Sequence, residues 1–172
     1  IFFYIYYLLY EDILYNYIFI SCSVFTIGFL DDLRINIKPL SRLVIMILLL
    51  FSSIYILPIK ILNIDIPFLT YLMSSHLFSS IFVLLCFLFV INGANLIDGF
   101  NGLLTINLII INIILAYINI NNGYLEFSIL IISQIIILLS FLLFNFPSAK
   151  IFLGDSGAYS MGAMAGLNTI IT

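Results

Sequence analysis

Long apolar runs recur along the chain, at 1–10, 13–30, 43–57, 77–90, 103–118, 125–146 and 158–172, with short polar junctions between them. Segments such as LVIMILLL and IFVLLCFLFV are apolar on every side. A membrane β-strand alternates lipid-facing and lumen-facing residues and would not read this way. The pattern predicts an all-α, polytopic helical membrane protein with about six to seven transmembrane segments, forming a single transmembrane catalytic domain over 1–172. Several runs fall short of the roughly 20 residues that cross a hydrocarbon core, so their helices must recruit flanking polar residues or tilt little. With Ile1 opening inside an apolar stretch and Thr172 closing inside one, the chain reads as a fragment truncated at both ends.

Composition removes the soluble alternative. Apolar residues make up 65% of the 172 and charged residues 8%, with a mean hydropathy of +1.32. A soluble domain of this size needs far more charge to keep its surface wet. The net charge of −3 contains no basic run of the kind that marks a nucleic-acid surface. Cys22 and Cys86 sit singly in apolar runs, which points to packing residues and away from a disulfide or CxxC site.

Counting crossings alternately places the junctions 31–42, 92–102 and 145–157 on one face, and 11–12, 58–76 and 119–124 on the other. The first face carries Arg34, Lys38, Arg42 and Lys150, the second only Lys60. The positive-inside rule therefore makes the first face cytoplasmic. Pro58 and Pro67 suit the outer loop, and His76, the single histidine, lies there too, far from any chemistry on the inner face.

The acids are not scattered. Asp31 and Asp32, Asp98, and Asp155 occupy all three cytoplasmic junctions. Carboxylates at a membrane boundary are costly unless solvated, paired or bound to a cation. Asp155 with Ser156 and Gly157 could simply cap the helix that follows, and that helix start could equally favour a phosphate. Adjacent acids at 31 and 32 repel unless a cation or base lies near, a role open to Arg34, Lys38 and Arg42. Asn92 and Asn95 share one helical face with Asp98 a turn later, while Gly99 and Gly102 would permit a tight loop.

Three segments carry a resemblance. GFLDDLRINIKPLSR from Gly28, NGANLIDGFNGL from Asn92 and IFLGDSGAYSMG from Ile151 follow one another with a helical hairpin between each pair. Together they resemble the polyprenyl-phosphate N-acetylhexosamine-1-phosphate transferases, a family that includes phospho-N-acetylmuramoyl-pentapeptide transferase and the enzymes initiating O-antigen, enterobacterial common antigen and teichoic acid synthesis. The resemblance implies ten helices in the whole enzyme, of which this chain would hold about helices two to eight, and a multi-pass place in the bacterial inner membrane with the active site on the cytoplasmic face. It implies a UDP-sugar and polyprenyl phosphate as substrates, UMP as product, Mg²⁺ as cofactor, the membrane as partner and a homodimer as candidate assembly. By the same resemblance Asp155 is the metal ligand. Asp31 activates the lipid phosphate, Asp32 assists in positioning or metal binding, and Asp98 completes the catalytic set. Asn92, Asn95, Gly99, Lys38 and Arg42 contact substrate.

Two departures matter. Asn101 stands where many relatives carry a second acid, and Ile97 precedes Asp98 where the peptidoglycan branch has Thr. The first removes a second carboxylate from that loop and so bears on the substrate contacts; the second leans toward surface-polysaccharide initiation. Other classes fit less well. An ion-coupled transporter would hold its acids near the bilayer midplane. A CDP-alcohol phosphotransferase would need an AR following its DG within one helix, and none follows Asp98. An inactive fragment of the transferase is the remaining alternative, since the family's last cytoplasmic loop would lie beyond Thr172.

Overall fold

The computed structural model describes residues 11–33, 38–56 and 66–172. The apolar run 1–10, Arg34, Pro58 and Lys60 lie outside them. The described residues form seven helices and no strand: α1 (Glu11–Asp32), α2 (Pro39–Ile56), α3 (Pro67–Met73), α4 (His76–Ile97), α5 (Leu103–Asn121), α6 (Leu125–Asn145) and α7 (Gly154–Ile171). The fold is all-α, as the unbroken apolar runs require. By length and hydropathy α4, α5 and α6 could each cross a membrane, and α2 is a shorter apolar helix. At about 1.5 Å per residue, 22-residue α1 and 18-residue α7 reach about 33 and 27 Å. Their lower hydropathy reflects charged ends on α1 and small residues on α7.

Helix α7 is the centre of the bundle. It packs against α1, α4 and α5, while α5 pairs with α6 and α2 lies against α4 and α1. Ala158, Gly162, Ala163, Ala165 and Gly166 make α7 thin, and small interface residues let helix backbones approach closely without a hydrophobic driving force from solvent. A Cβ at Gly162 would stand 2.9 Å from Ala94 Cβ and 3.1 Å from Ile91 Cα of α4. On the other side, a Cβ at Gly28 of α1 would stand 2.5 Å from the Asp155 carbonyl oxygen. The apolar core runs around this post, with Ile20, Val24, Met46, Leu50, Val83, Phe87, Tyr159 and Leu167 in its largest cluster. Outward faces keep large apolar side chains such as Ile114, Tyr117, Ile136 and Leu143 exposed, as lipid contact demands.

A polar cluster ties the other half of the bundle. The Tyr17 hydroxyl donates to Asn168 Oδ1 at 2.9 Å and accepts from Gln134 Nε2 at 2.6 Å. Asn168 Nδ2 in turn donates to Gln134 Oε1 at 2.8 Å and Asn112 Oδ1 at 3.1 Å. All four residues are buried, and they join α1, α5, α6 and α7 about 20 Å along α7 from Asp155. The four side chains carry no formal charge at neutral pH.

The structure corrects several sequence expectations. Helix α7 starts at Gly154, four residues before its apolar run, and α4 continues to Ile97, seven residues past its apolar run, which keeps Asn92 and Asn95 on one helix as expected. The outer loop holds the short helix α3, with Pro67 at its first position. His76 opens α4 and meets the Tyr55 ring edge-on at 4.8 Å. Cys22 is exposed on α1 and does not pack inside the bundle. The left-handed residue of the 99–102 turn is Gly102 (φ 74°); Gly99 has no such φ and its nearest neighbour to an added Cβ is 3.8 Å away.

Two helical glycines test the packing account. A Cβ at Gly93 meets nothing within 4 Å, so Gly93→Ala should be neutral or stabilise by up to ~1 kcal/mol through helix propensity. Gly162→Ala should destabilise by ~1–3 kcal/mol through overpacking. Unfolding of the two purified variants in detergent measures the difference; equal stabilities would refute a glycine-dependent α4–α7 contact.

Candidate active site at the start of the central helix

Because α1 ends, α2 begins, α4 ends and α7 begins at the same end of the bundle, the three acidic junctions meet there. The starting point is the N-terminus of α7, whose first amides have no partner within their own helix. Asp155 does not cap it: the residue before the helix is Leu153, with no side-chain cap. Asp32 does so from α1, accepting the Asp155 amide at 3.0 Å on one carboxylate oxygen and the Ser156 amide at 3.0 Å on the other. Gly154, at φ 69°, makes room, since a Cβ there would stand 2.9 Å from Asp32 Oδ2. Burial would raise the Asp32 carboxyl, but the Ser156 hydroxyl and the two amides outweigh it and hold the group below its ordinary range. Asp98, buried just beyond the end of α4, faces the backbone amides of Gly154 and Leu153; burial pushes its pKa up and those amides offset part of the shift.

Arg42, in the first turns of α2, bridges the remaining two acids. Its Nη1 donates to Asp31 Oδ2 and, at 3.0 Å, to Asp155 Oδ2. Its guanidinium lies 5.4 Å from the centre of the Tyr159 ring, within cation–π range. Asn95 Nδ2 reaches the Tyr159 hydroxyl at 3.4 Å. The Asp155 carboxyl, outside the apolar run of α7, is pushed up to about 6 by burial first and by neighbouring Asp31, against the opposing pull of Arg42 and Asn95. Two carboxylates, Asp31 and Asp155, thus share one guanidinium.

The structure thus brings together Asp31, Asp32, Asp98, Asp155, Arg42 and Asn95. Lys38 is exposed one turn before Arg42, Gly99 sits in the exposed turn, and Asn92 bonds back to the Leu88 carbonyl of its own helix at 2.8 Å. Sequence reasoning missed Tyr159, four residues after Asp155 on the same helix face, and took Ser156 only as part of a cap. It also missed Asn145, which accepts the Gly102 amide at 2.6 Å and donates to the Ile151 carbonyl at 2.7 Å. Buried Asn145 holds the loop before α7 against the loop after α4. Asn is abundant in this chain, which hid it.

Among the described residues, no three His, Cys, Asp or Glu side chains form a cage for a metal ion. Asp31 and Asp155 do offer two oxygens converging on one cationic group. That donor set suits Mg²⁺, which commonly takes one or two carboxylates and completes its shell with water and substrate phosphates.

The family model for glycosyl transferase family 4 matches residues 14–172, which contain every one of these side chains. The chain belongs to this family. Among curated relatives of the family 4 chain, a phospho-N-acetylmuramoyl-pentapeptide-transferase of Streptococcus thermophilus is 36% identical over 153 residues, covering 84% of this chain and 44% of the relative. One of Clostridium perfringens is 34% identical, covering 84% and 48%, and one of Streptococcus agalactiae 34% identical, covering 80% and 43%. The chain spans a little under half the length of these family 4 relatives.

The raised Asp155 carboxyl has a measurable sign. A carboxyl that holds its proton more tightly folded than unfolded destabilises the fold progressively as pH rises from 3.8 to about 6. Without metal, Asp155→Asn should therefore melt above the parent near neutral pH, and the gain should shrink as pH falls from about 6 to about 4. A variant that melts lower at neutral pH and shows no such trend would contradict the raised Asp155 carboxyl.

Proposed function

We propose that this chain forms the catalytic part of a membrane enzyme that transfers a sugar 1-phosphate from a UDP-sugar to polyprenyl phosphate, releasing UMP. The observation that carries the reading is the convergence of Asp31, Asp98 and Asp155 with Arg42 at one end of a membrane bundle, in a chain of family 4. The reaction joins two anionic substrates, and a polyprenyl phosphate oxygen attacks the sugar-side phosphorus as the phosphoanhydride breaks. Arg42 and Lys38 supply positive charge for phosphates at that end. Asp31 holds or accepts the proton of the lipid phosphate, and Asn95 and Asp98 contact the nucleotide sugar beside it, with Asn92 one turn before Asn95 on α4 and Gly99 in the turn after Asp98. Asp155, with Asp31 beside it, would hold Mg²⁺, whose charge offsets that of the diphosphate. The positive-inside argument puts this end in the cytoplasm of a bacterial cell, where nucleotide sugars are available, with the chain in the inner membrane.

Two sugar classes have support. The relatives, named as phospho-N-acetylmuramoyl-pentapeptide transferases, favour UDP-N-acetylmuramoyl-pentapeptide. Ile97 before Asp98 favours a simple UDP-N-acetylhexosamine of surface-polysaccharide initiation. Against transport stands the place of the acids, which gather at helix ends, since ion-coupled carriers hold their ionisable groups near the bilayer midplane.

In the full-length protein, Asp31→Asn should lower UMP release by ~100-fold or more, the scale of removing a positioned acid–base group, whereas Asn101→Ala should cost less than ~10-fold. Offering each UDP-sugar in turn identifies the donor. Similar, mild losses from both substitutions would remove Asp31 from the chemistry.

A further inference from the structure

Asp31 and Asp32 look interchangeable in sequence, yet the fold uses them differently. Asp31 faces Arg42 and, beyond it, Asp155. Both oxygens of Asp32 are engaged by the Asp155 and Ser156 amides of α7. The room for this contact comes from two glycines. Gly28, one turn before Asp32 on the same face of α1, allows α1 to touch the first turn of α7, where a Cβ would stand 2.6 Å from Ser156 Cα. Gly154 has no side chain where the Asp32 carboxylate lies, and an added Cβ would stand 2.9 and 3.1 Å from its two oxygens.

We propose that Asp32 is a positioning residue, a cap supplied from α1 to the N-terminus of α7 that sets where the Asp155 side chain points, leaving Asp31 as the member of the pair that meets substrate. This deepens the proposed transfer reaction and rests on that reading for its activity readout. A capping oxygen satisfies two otherwise unpartnered amides and places negative charge at the positive end of the helix. The amide oxygen of Asn can accept one of the two bonds, whereas Ala can accept neither.

The test compares Asp32→Asn, Asp32→Ala, Gly154→Ala and the double variant Asp32→Ala/Gly154→Ala in the full-length protein. Asp32→Asn should keep turnover within ~10-fold of the parent, as loss of one cap bond implies. Asp32→Ala should lose ~100-fold, the scale of a misplaced catalytic group. Gly154→Ala, which displaces the carboxylate, should match Asp32→Ala, and the double variant should be no worse than either, because both remove one contact. Melting temperatures should follow the same order, Asp32→Ala lying roughly 2–4 °C lower per kcal/mol of cap lost. Asp32→Asn as inactive as Asp32→Ala, with the parent's melting temperature, would overturn the proposal and make the charge itself necessary. Should the parent transfer no sugar phosphate at all, the functional reading fails, and the melting order alone then upholds or overturns the cap.

Discussion

The amides at the start of α7 have no partners in their own helix and lie where α1 and α4 end, and the arrangement of the acidic end follows from satisfying them. Asp32 takes the Asp155 and Ser156 amides at 3.0 Å each, and Asp98 faces those of Leu153 and Gly154. Such a clasp needs α7 to sit within backbone reach of both neighbours. Gly28 on one side and Gly162 on the other allow that approach, and the small residues along α7 extend it through the bundle. At the far end, the Tyr17, Asn112, Gln134 and Asn168 cluster ties the same helix to α1, α5 and α6. Each interhelical hydrogen bond in a membrane contributes modestly, about 0.6 kcal/mol on average. Their common effect is to oppose sliding and rotation of α7.

With α7 held, the electrostatics of the site follow. A chain that is only 8% charged gathers four aspartates and an arginine at one helix start. The amides engage Asp32 and partly offset the burial of Asp98, while Arg42 serves both Asp31 and Asp155 and lies over Tyr159. Burial first, and neighbouring Asp31 second, push the Asp155 carboxyl up to about 6. A divalent cation bringing its own phosphate ligands would suit two carboxylates that share a single guanidinium, which connects the geometry to phosphoryl transfer.

Much of this was legible in the sequence. Apolar runs without alternation disclosed the helical class, and counting crossings put Asp31, Asp98 and Asp155 on one face because each hairpin returns the chain to the same side. Spacing also placed Asn92 and Asn95 on a shared helix, with Asp98 a turn after Asn95 at its end. Less visible were features set by tertiary contact. Neighbouring Asp31 and Asp32 differ only through what the next helices present to them. Asp155 resembled a cap, yet the cap comes from another helix. Tyr159 lies inside the third motif but nothing local set it apart as a site residue, and Asn145 and the polar cluster around Asn168 were hidden by abundant Asn. Gly99 and Gly102 looked equivalent until the backbone put only Gly102 at positive φ.

The central claim is that this end of the bundle transfers a phosphoryl group, and the fate of the two donor phosphates tests it most directly. Full-length protein would be given polyprenyl phosphate and a UDP-sugar carrying distinguishable labels in its two phosphates. Attack at phosphorus leaves the sugar's anomeric bond intact, so the sugar-side phosphate should appear in the lipid diphosphate product and the nucleotide should leave as UMP. Recovery of both labels in released UDP would contradict the account, because the sugar alone would then have been transferred.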